Sequence, residues 1–127
     1  MKKMFGFLLC LLLIALCAVA LADVAIDADH FPDEIFRKCV SQFDKDGDNI
    51  LNDAEIAEVT FISCNGQGIA SLEGIAYFTS LNMLNCFSNQ LTNLDISQNV
   101  HLWSLDCGFN QLKELDVSNN TALESLS

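Results

Sequence analysis

Basic residues are scarce in this chain of 127 residues: 6 Lys and Arg stand against 17 Asp and Glu, a formal charge of −11 at neutral pH. Lys2 and Lys3 fall at the extreme N-terminus, so the chain from Asp23 onward keeps 4 basic residues against 17 acidic ones, a formal −13. Such a surface repels phosphate backbones and anionic lipid. It argues against nucleic acid as a partner and favours cations or basic proteins. Proline is nearly missing: Pro32 is the single one, so it reads as a helix start, at the first helical position, and not as a kink. No Cys-x-x-Cys pair occurs, which disfavours a structural soft-metal site. The sequence also lacks a glycine-rich phosphate loop, a G-x-S-x-G elbow and an H-E-x-x-H pair. His30 and His101 stand in no catalytic pattern and read as surface residues, so no enzyme is expected.

Beyond the first residues there is no apolar run long enough to cross a bilayer. Residues 1–22 read as a signal peptide: Lys2 and Lys3 begin it, Phe5 to Val19 form its apolar stretch, and Ala20-Leu21-Ala22 supplies a small-x-small cleavage site. A lipoprotein reading through Cys17 meets Leu16 where a small residue is needed, and an uncleaved anchor is the other alternative. Cleavage leaves 105 residues. That suffices for one small core, and not for a repeat array plus a catalytic domain.

What the chain does have is self-similarity. Asn89-Gln90-Leu91-Thr92-Asn93-Leu94-Asp95-Ile96-Ser97 returns 21 positions later as Asn110-Gln111-Leu112-Lys113-Glu114-Leu115-Asp116-Val117-Ser118, and the same shift carries Asn99 onto Asn120. Three segments share one frame: Val59-x-x-Ile62-x-Cys64-x-x-Gln67-x-Ile69, Leu81-x-x-Leu84-x-Cys86-x-x-Asn89-x-Leu91 and Leu102-x-x-Leu105-x-Cys107-x-x-Asn110-x-Leu112. A fourth begins at Leu123-x-x-Leu126. This is a leucine-rich repeat pattern, in which a short strand per turn puts frame positions 1, 4 and 6 inward and neighbouring turns share one core. The Asn at position 9 can serve backbone groups of the adjoining turn, with Gln67 as the imperfect first rung. The fold class expected is an α/β solenoid, a short parallel-strand array over 59–127 behind a helical cap over 23–58. On these residues the chain resembles the secreted leucine-rich repeat proteins of bacteria, the internalin-like group in particular.

The cap carries the sharpest chemical signal. Asp23 to His30 reads as an acidic, mobile leader, and Phe31 to Phe43 as an amphipathic helix. Next, Asp44-Lys45-Asp46-Gly47-Asp48-Asn49-Ile50-Leu51-Asn52-Asp53-Ala54-Glu55 matches an EF-hand calcium loop. Asp44, Asp46 and Asp48 turn alternate oxygens to one centre, Ile50 offers its carbonyl, Asn52 reaches the ion directly or through water, and Glu55 closes the shell. Asn49 replaces the usual turn glycine, a substitution the left-handed region tolerates. A helix from Ala54 to Val59 follows. The bland reading is a solvated acidic turn. Half of a dockerin is a further alternative, although no second loop is present. The resemblance implies an EF-hand-like cap at this place that usually lacks metal ligands, and here they are present.

Four cysteines follow the signal: Cys39, Cys64, Cys86 and Cys107. The last three recur inward on strands about 4.8 Å apart with parallel side chains, so buried thiols are expected, with a Cys86–Cys107 bridge as the second reading. Outward frame positions carry Phe61, Met83, Phe87 and Phe109, which the inward pattern does not require to be large. They are the candidate partner-binding residues on the concave strand face, with Trp103 at the strand's start. The function expected is a secreted or cell-surface module that binds a protein partner, with a calcium-stabilised cap. The alternative is a structural cap or spacer of a longer surface protein.

Overall fold

A computed structural model describes residues 22–127, so the expected signal peptide lies outside the described residues apart from Ala22. The repeat frame becomes a parallel sheet. Strands β3 (Phe61–Ser63), β4 (Met83–Asn85), β5 (Ser104–Asp106) and β6 (Ser125–Leu126) lie side by side in chain order, with Ile62, Leu84, Leu105 and Leu126 in one register row. Ile62, Leu84 and Leu105 are buried, as are Cys64, Cys86 and Cys107 just beyond them, and Leu72, Leu94 and Ile96 close the core from the convex side. This is the leucine-rich repeat solenoid that the 21-residue shift predicts.

Two asparagine ladders hold the turns together. Asn89 receives the amides of Gln67 (3.1 Å) and Ile69 (3.0 Å) on its oxygen and donates to the carbonyls of Cys64 (2.8 Å) and Cys86 (3.0 Å). Asn110 repeats this one turn on, with Leu91 (3.0 Å), Cys86 (3.0 Å) and Cys107 (2.9 Å). The second ladder lies at the other end of each turn. Asn99 donates to Ile75 and Phe78 (both 3.0 Å), and Asn120 to Ile96 (2.9 Å) and Asn99 (3.0 Å). Buried backbone carbonyls need such partners, and only an amide of this size reaches two at once.

The N-terminal part departs from expectation in four details. The segment from Asp23 is not a free leader: Val24–Ala25 forms strand β1, antiparallel to β2 (Ile50–Leu51), and Val24 is buried. Helix α1 is shorter than 31–43. It spans Glu34–Val40 and passes into a 3-10 turn at Ser41–Phe43. Pro32 precedes the helix instead of opening it, because Asp33 takes the N-cap and accepts the amides of Ile35 (2.9 Å) and Phe36 (3.0 Å). Helix α2 runs over Asp53–Glu58, one residue ahead of the expected start, with Asn52 and Glu55 forming a capping box.

Cap and repeats share one core. Phe31 and Phe36 are buried with Phe78 of the first repeat, and the Phe31 and Phe78 ring centroids lie 6.3 Å apart. Asp33 adds a polar link: its second oxygen accepts the amides of Ala70 (2.8 Å) and Ser71 (3.2 Å) in the first repeat. Gly74 makes the close approach possible. Its φ is 100°, and a Cβ there would stand 2.4 Å from the Phe31 ring and 2.5 Å from the His30 carbonyl oxygen.

Candidate functional site

Residues on a β-strand alternate between faces, so the positions flanking the buried row point away from the core. Phe61, Met83, Ser104 and Ser125 form one such row, and Ser63, Asn85 and Asp106 another. Phe61 is 51% exposed, and Met83 beside it is partly covered. Phe87 and Phe109 follow their strands and touch, with ring centroids 5.0 Å apart and planes at 57°. Gly108 leaves room for this pair, since a Cβ there would come within 3.3 Å of the Phe87 ring. Trp103 precedes β5 and is 42% exposed.

Phe109 is the unusual member. Its side chain is 80% exposed, yet its backbone holds φ at 52°. Ser88 (φ 57°) and Gly66 (φ 67°) occupy the same frame position one and two turns earlier, so the solenoid imposes a left-handed residue there. Glycine satisfies that demand freely, and a bulky residue costs about 1–2 kcal/mol. Neither burial nor backbone preference therefore accounts for a phenylalanine at this place.

In the acidic loop, the structure brings Asp44, Asp46 and Asp48 together, each offering an oxygen within 4.8 Å of the others. The Asp44 carboxylate accepts the amides of Gly47 (2.7 Å) and Asn49 (2.9 Å), and the Asp48 carboxylate that of Ile50 (2.8 Å). Asn49 sits at φ 63°, the left-handed turn its position needs. The remaining expected ligands are placed otherwise. Both oxygens of the buried Glu55 receive backbone amides, from Lys45 (2.7 Å) and Asn52 (3.0 Å), and the Asn52 side chain caps α2 through Ala54 (3.0 Å) and Glu55 (3.1 Å). Ile50 lies in β2. The Asp46 carboxyl shows the crowding: the Asp48 amide pulls its pKa down, but desolvation and the charges of Asp48, Glu55 and Asp44 outweigh that and raise it. Three converging hard oxygens under mutual repulsion fit a hard divalent cation, with Glu55 close enough to add to the field.

The cysteine column consists of free thiols among the described residues. Burial pushes the Cys86 thiol up to about 12 and raises Cys107 as well. Among the described residues no helix is long and apolar enough to cross a membrane. The residues that the repeat pattern left without a role are Asp33, Asn99 and Asn120. The 21-residue recurrence of Asn99 at Asn120 was the available signal for the second ladder, whereas nothing local marks Asp33 as a bridge to Ala70.

No family model matches the chain. Over 72 residues, 56% of its length, it is 36% identical to Internalin J of Listeria monocytogenes serotype 4b (strain F2365), of which the match covers 8%. Among solved structures, the functional domain of InlJ from Listeria monocytogenes, which includes a cysteine ladder, superposes with a TM-score of 0.75 at 33% identity, over 84% of this chain and 24% of that one. An internalin, InlF, from strain F2365 of the same species gives 0.73 at 26% identity, over 83% and 32%. Internalin C2 of that strain shares the fold, with a TM-score of 0.61 at 19% identity, over 84% and 59%. The chain thus spans only a small part of the sequence relative it matches.

Proposed function

We propose that this chain, an internalin-like leucine-rich repeat protein, acts as a secreted or surface-displayed bacterial module that binds a protein partner on its strand face. The observation that carries this reading is Phe109, held exposed on left-handed backbone against Phe87. Strain retained for a ring whose contact with Phe87 does no more than offset it points to function, and exposed aromatics are the side chains that anchor protein interfaces. Phe61, Met83 and Trp103 extend the apolar surface along the rows. Asp106 on the same face, together with the acidic balance of the chain, favours a basic or neutral partner.

The cap serves this module as a calcium-stiffened end. Asp44, Asp46 and Asp48 would hold the ion, with the Ile50 carbonyl, Asn52 and Glu55 completing the shell where their remaining lone pairs allow. The ion would supply positive charge that relieves the repulsion among the three carboxylates. The counterpart of the InlJ cysteine ladder is the column of Cys64, Cys86 and Cys107, which fills the core with small, soft side chains.

The test is binding of the labelled chain to cell surfaces, competed by unlabelled protein. A Phe87→Ser, Phe109→Asn double variant should keep its fold and lose at least tenfold in competing power. Equal competition by the variant would sink the strand-face reading. A second reading, a cap and spacer of a longer surface protein, is favoured by the small share of Internalin J that the match covers. It predicts no saturable binding by the wild-type chain.

A further inference from the structure

The cysteine column has a fourth member that does not belong to the repeat. Cys39 lies on α1, in the cap, and is half-buried over the end of β3. Its Sγ stands 3.8 Å from the carbonyl oxygen of Ser63, the residue joined to Cys64. That oxygen belongs to the peptide group that links Ser63 to Cys64, so the Cys39 sulfur lies beside the Cys64 backbone. Within the column the geometry is different. Cys64, Cys86 and Cys107 follow strands paired in parallel register, so their side chains run alongside one another. Cys39 comes from a separate element packed across the strand end and meets Cys64 from outside the ladder. A disulfide needs two side chains that can approach each other, and Cys39, coming from a helix packed across the strand end, is placed to reach Cys64 from outside the ladder.

We propose that Cys39 and Cys64 are the site of a disulfide that fastens the cap to the first repeat, formed by exchange with a disulfide-bearing oxidant outside the reducing cytoplasm. The Cys39 sulfur, the accessible one, attacks one sulfur of the oxidant's disulfide and expels the other as a thiolate, leaving a mixed disulfide on Cys39. Cys64 then gives up its proton to that thiolate and attacks the Cys39 sulfur, expelling the second half of the oxidant, which takes up the proton Cys39 has lost. Two protein thiols and one oxidant disulfide become one protein disulfide and two oxidant thiols. The environment favours this order of events. The neighbouring Cys64 thiol, with the Gln42 amide assisting, outweighs burial and lowers the Cys39 thiol to about 7, while the proximity of Cys39 and burial raise Cys64. Thiolate character at neutral pH therefore collects on the exposed partner, the one an oxidant can reach.

The bridge would enclose the whole acidic loop and α2 between its two ends. Closing that segment restricts the unfolded chain, so oxidation should raise the melting temperature by on the order of 10 °C. The experiment incubates the full chain with oxidised and reduced glutathione, blocks remaining thiols and maps the peptides by mass spectrometry, with melting followed in parallel. The expected product is a Cys39–Cys64 peptide, with Cys86 and Cys107 alkylated only after denaturation and the melting gain reversed by dithiothreitol. Cys39→Ser, which leaves the ladder intact, should abolish both the linked peptide and the gain. The proposal is overturned by glutathione left on Cys39 with Cys64 unlinked, by a link from Cys39 to Cys10 or Cys17, by a bridge within the ladder, or by an oxidant-dependent gain that persists in Cys39→Ser. None of these outcomes depends on partner binding.

Discussion

At the scale of single residues, two positions with left-handed backbone have opposite meanings. At Gly74 the conformation is needed for packing, because φ is 100° and the Phe31 ring and His30 carbonyl fill the space a side chain would take. Gly74→Ala should cost about 2–4 kcal/mol, from backbone strain plus overpacking, and thermal melting will show it as a loss in the cap and first repeat together. At Phe109 the conformation is a burden on an exposed ring. Replacing it by glycine relieves about 1–2 kcal/mol of strain, gives up about 0.5–1.5 kcal/mol of contact with Phe87, and adds unfolded-chain entropy of about 0.5–1 kcal/mol. These nearly cancel, so Phe109→Gly should melt within about 1 kcal/mol of wild type, whereas truncating a buried phenylalanine costs about 3–5 kcal/mol. A loss of the larger size in denaturant titration would make Phe109 a structural residue and remove the main support for the binding face.

At the scale of elements, the turns are fastened by side-chain amides and the cap by a carboxylate. Asn89 makes four hydrogen bonds, three to the preceding turn and one to Cys86 of its own. Asn89→Leu would keep the branched shape and strand these groups, at a cost of about 3 kcal/mol or more, readable in urea unfolding. Asp33 joins α1 to the first repeat, and its pKa is informative. Desolvation acts to raise it, but the amides of Phe36, Ala70, Ser71 and Ile35 together hold it below its ordinary 3.8. A folded value below the unfolded one means the ionised form is bound more tightly in the native state. The stabilisation is therefore present in full above pH 3.8 and disappears as the pH falls through the depressed folded value. Melting temperature should drop on acidification below that point, and Asp33→Asn should melt lower at neutral pH with a shallower acid drop. An equally steep drop in the variant would assign the acid sensitivity to other carboxylates.

At the scale of the whole molecule, the repeat array was legible because periodicity encodes it: a 21-residue shift in Leu, Cys and Asn dictates which side chains face inward, whatever the loops do. The cap was less so. The β1–β2 pairing of Val24 with Leu51, and the reach of Asp33 to Ala70, are contacts between distant segments that leave no local pattern. Likewise the spacing from Asp44 to Glu55 places the oxygens but cannot tell a ligand from a brace. Asp46 is the more diagnostic residue, for a reason of sign. Its folded pKa is raised, so its contribution to the native state is full below its ordinary 3.8 and is lost as pH rises through the raised folded value, leaving the ionised Asp46 under repulsion at neutral pH. Glu55, in contrast, holds the Lys45 and Asn52 amides by itself, and its removal would destabilise the cap with or without metal. The clean test of calcium is therefore Asp46→Asn with Asp48→Asn. An extracellular site of Kd about 10⁻⁴–10⁻³ M, given about 10 mM calcium, stabilises the fold by about 1.4–2.7 kcal/mol. For a domain of this size that is a rise of roughly 5–15 °C over chelator. The double variant should melt in chelator at or slightly above the wild-type temperature, since it loses repulsion, and should gain nothing from calcium. If wild type melts identically in calcium and chelator, the loop is a turn whose aspartates serve only their own backbone.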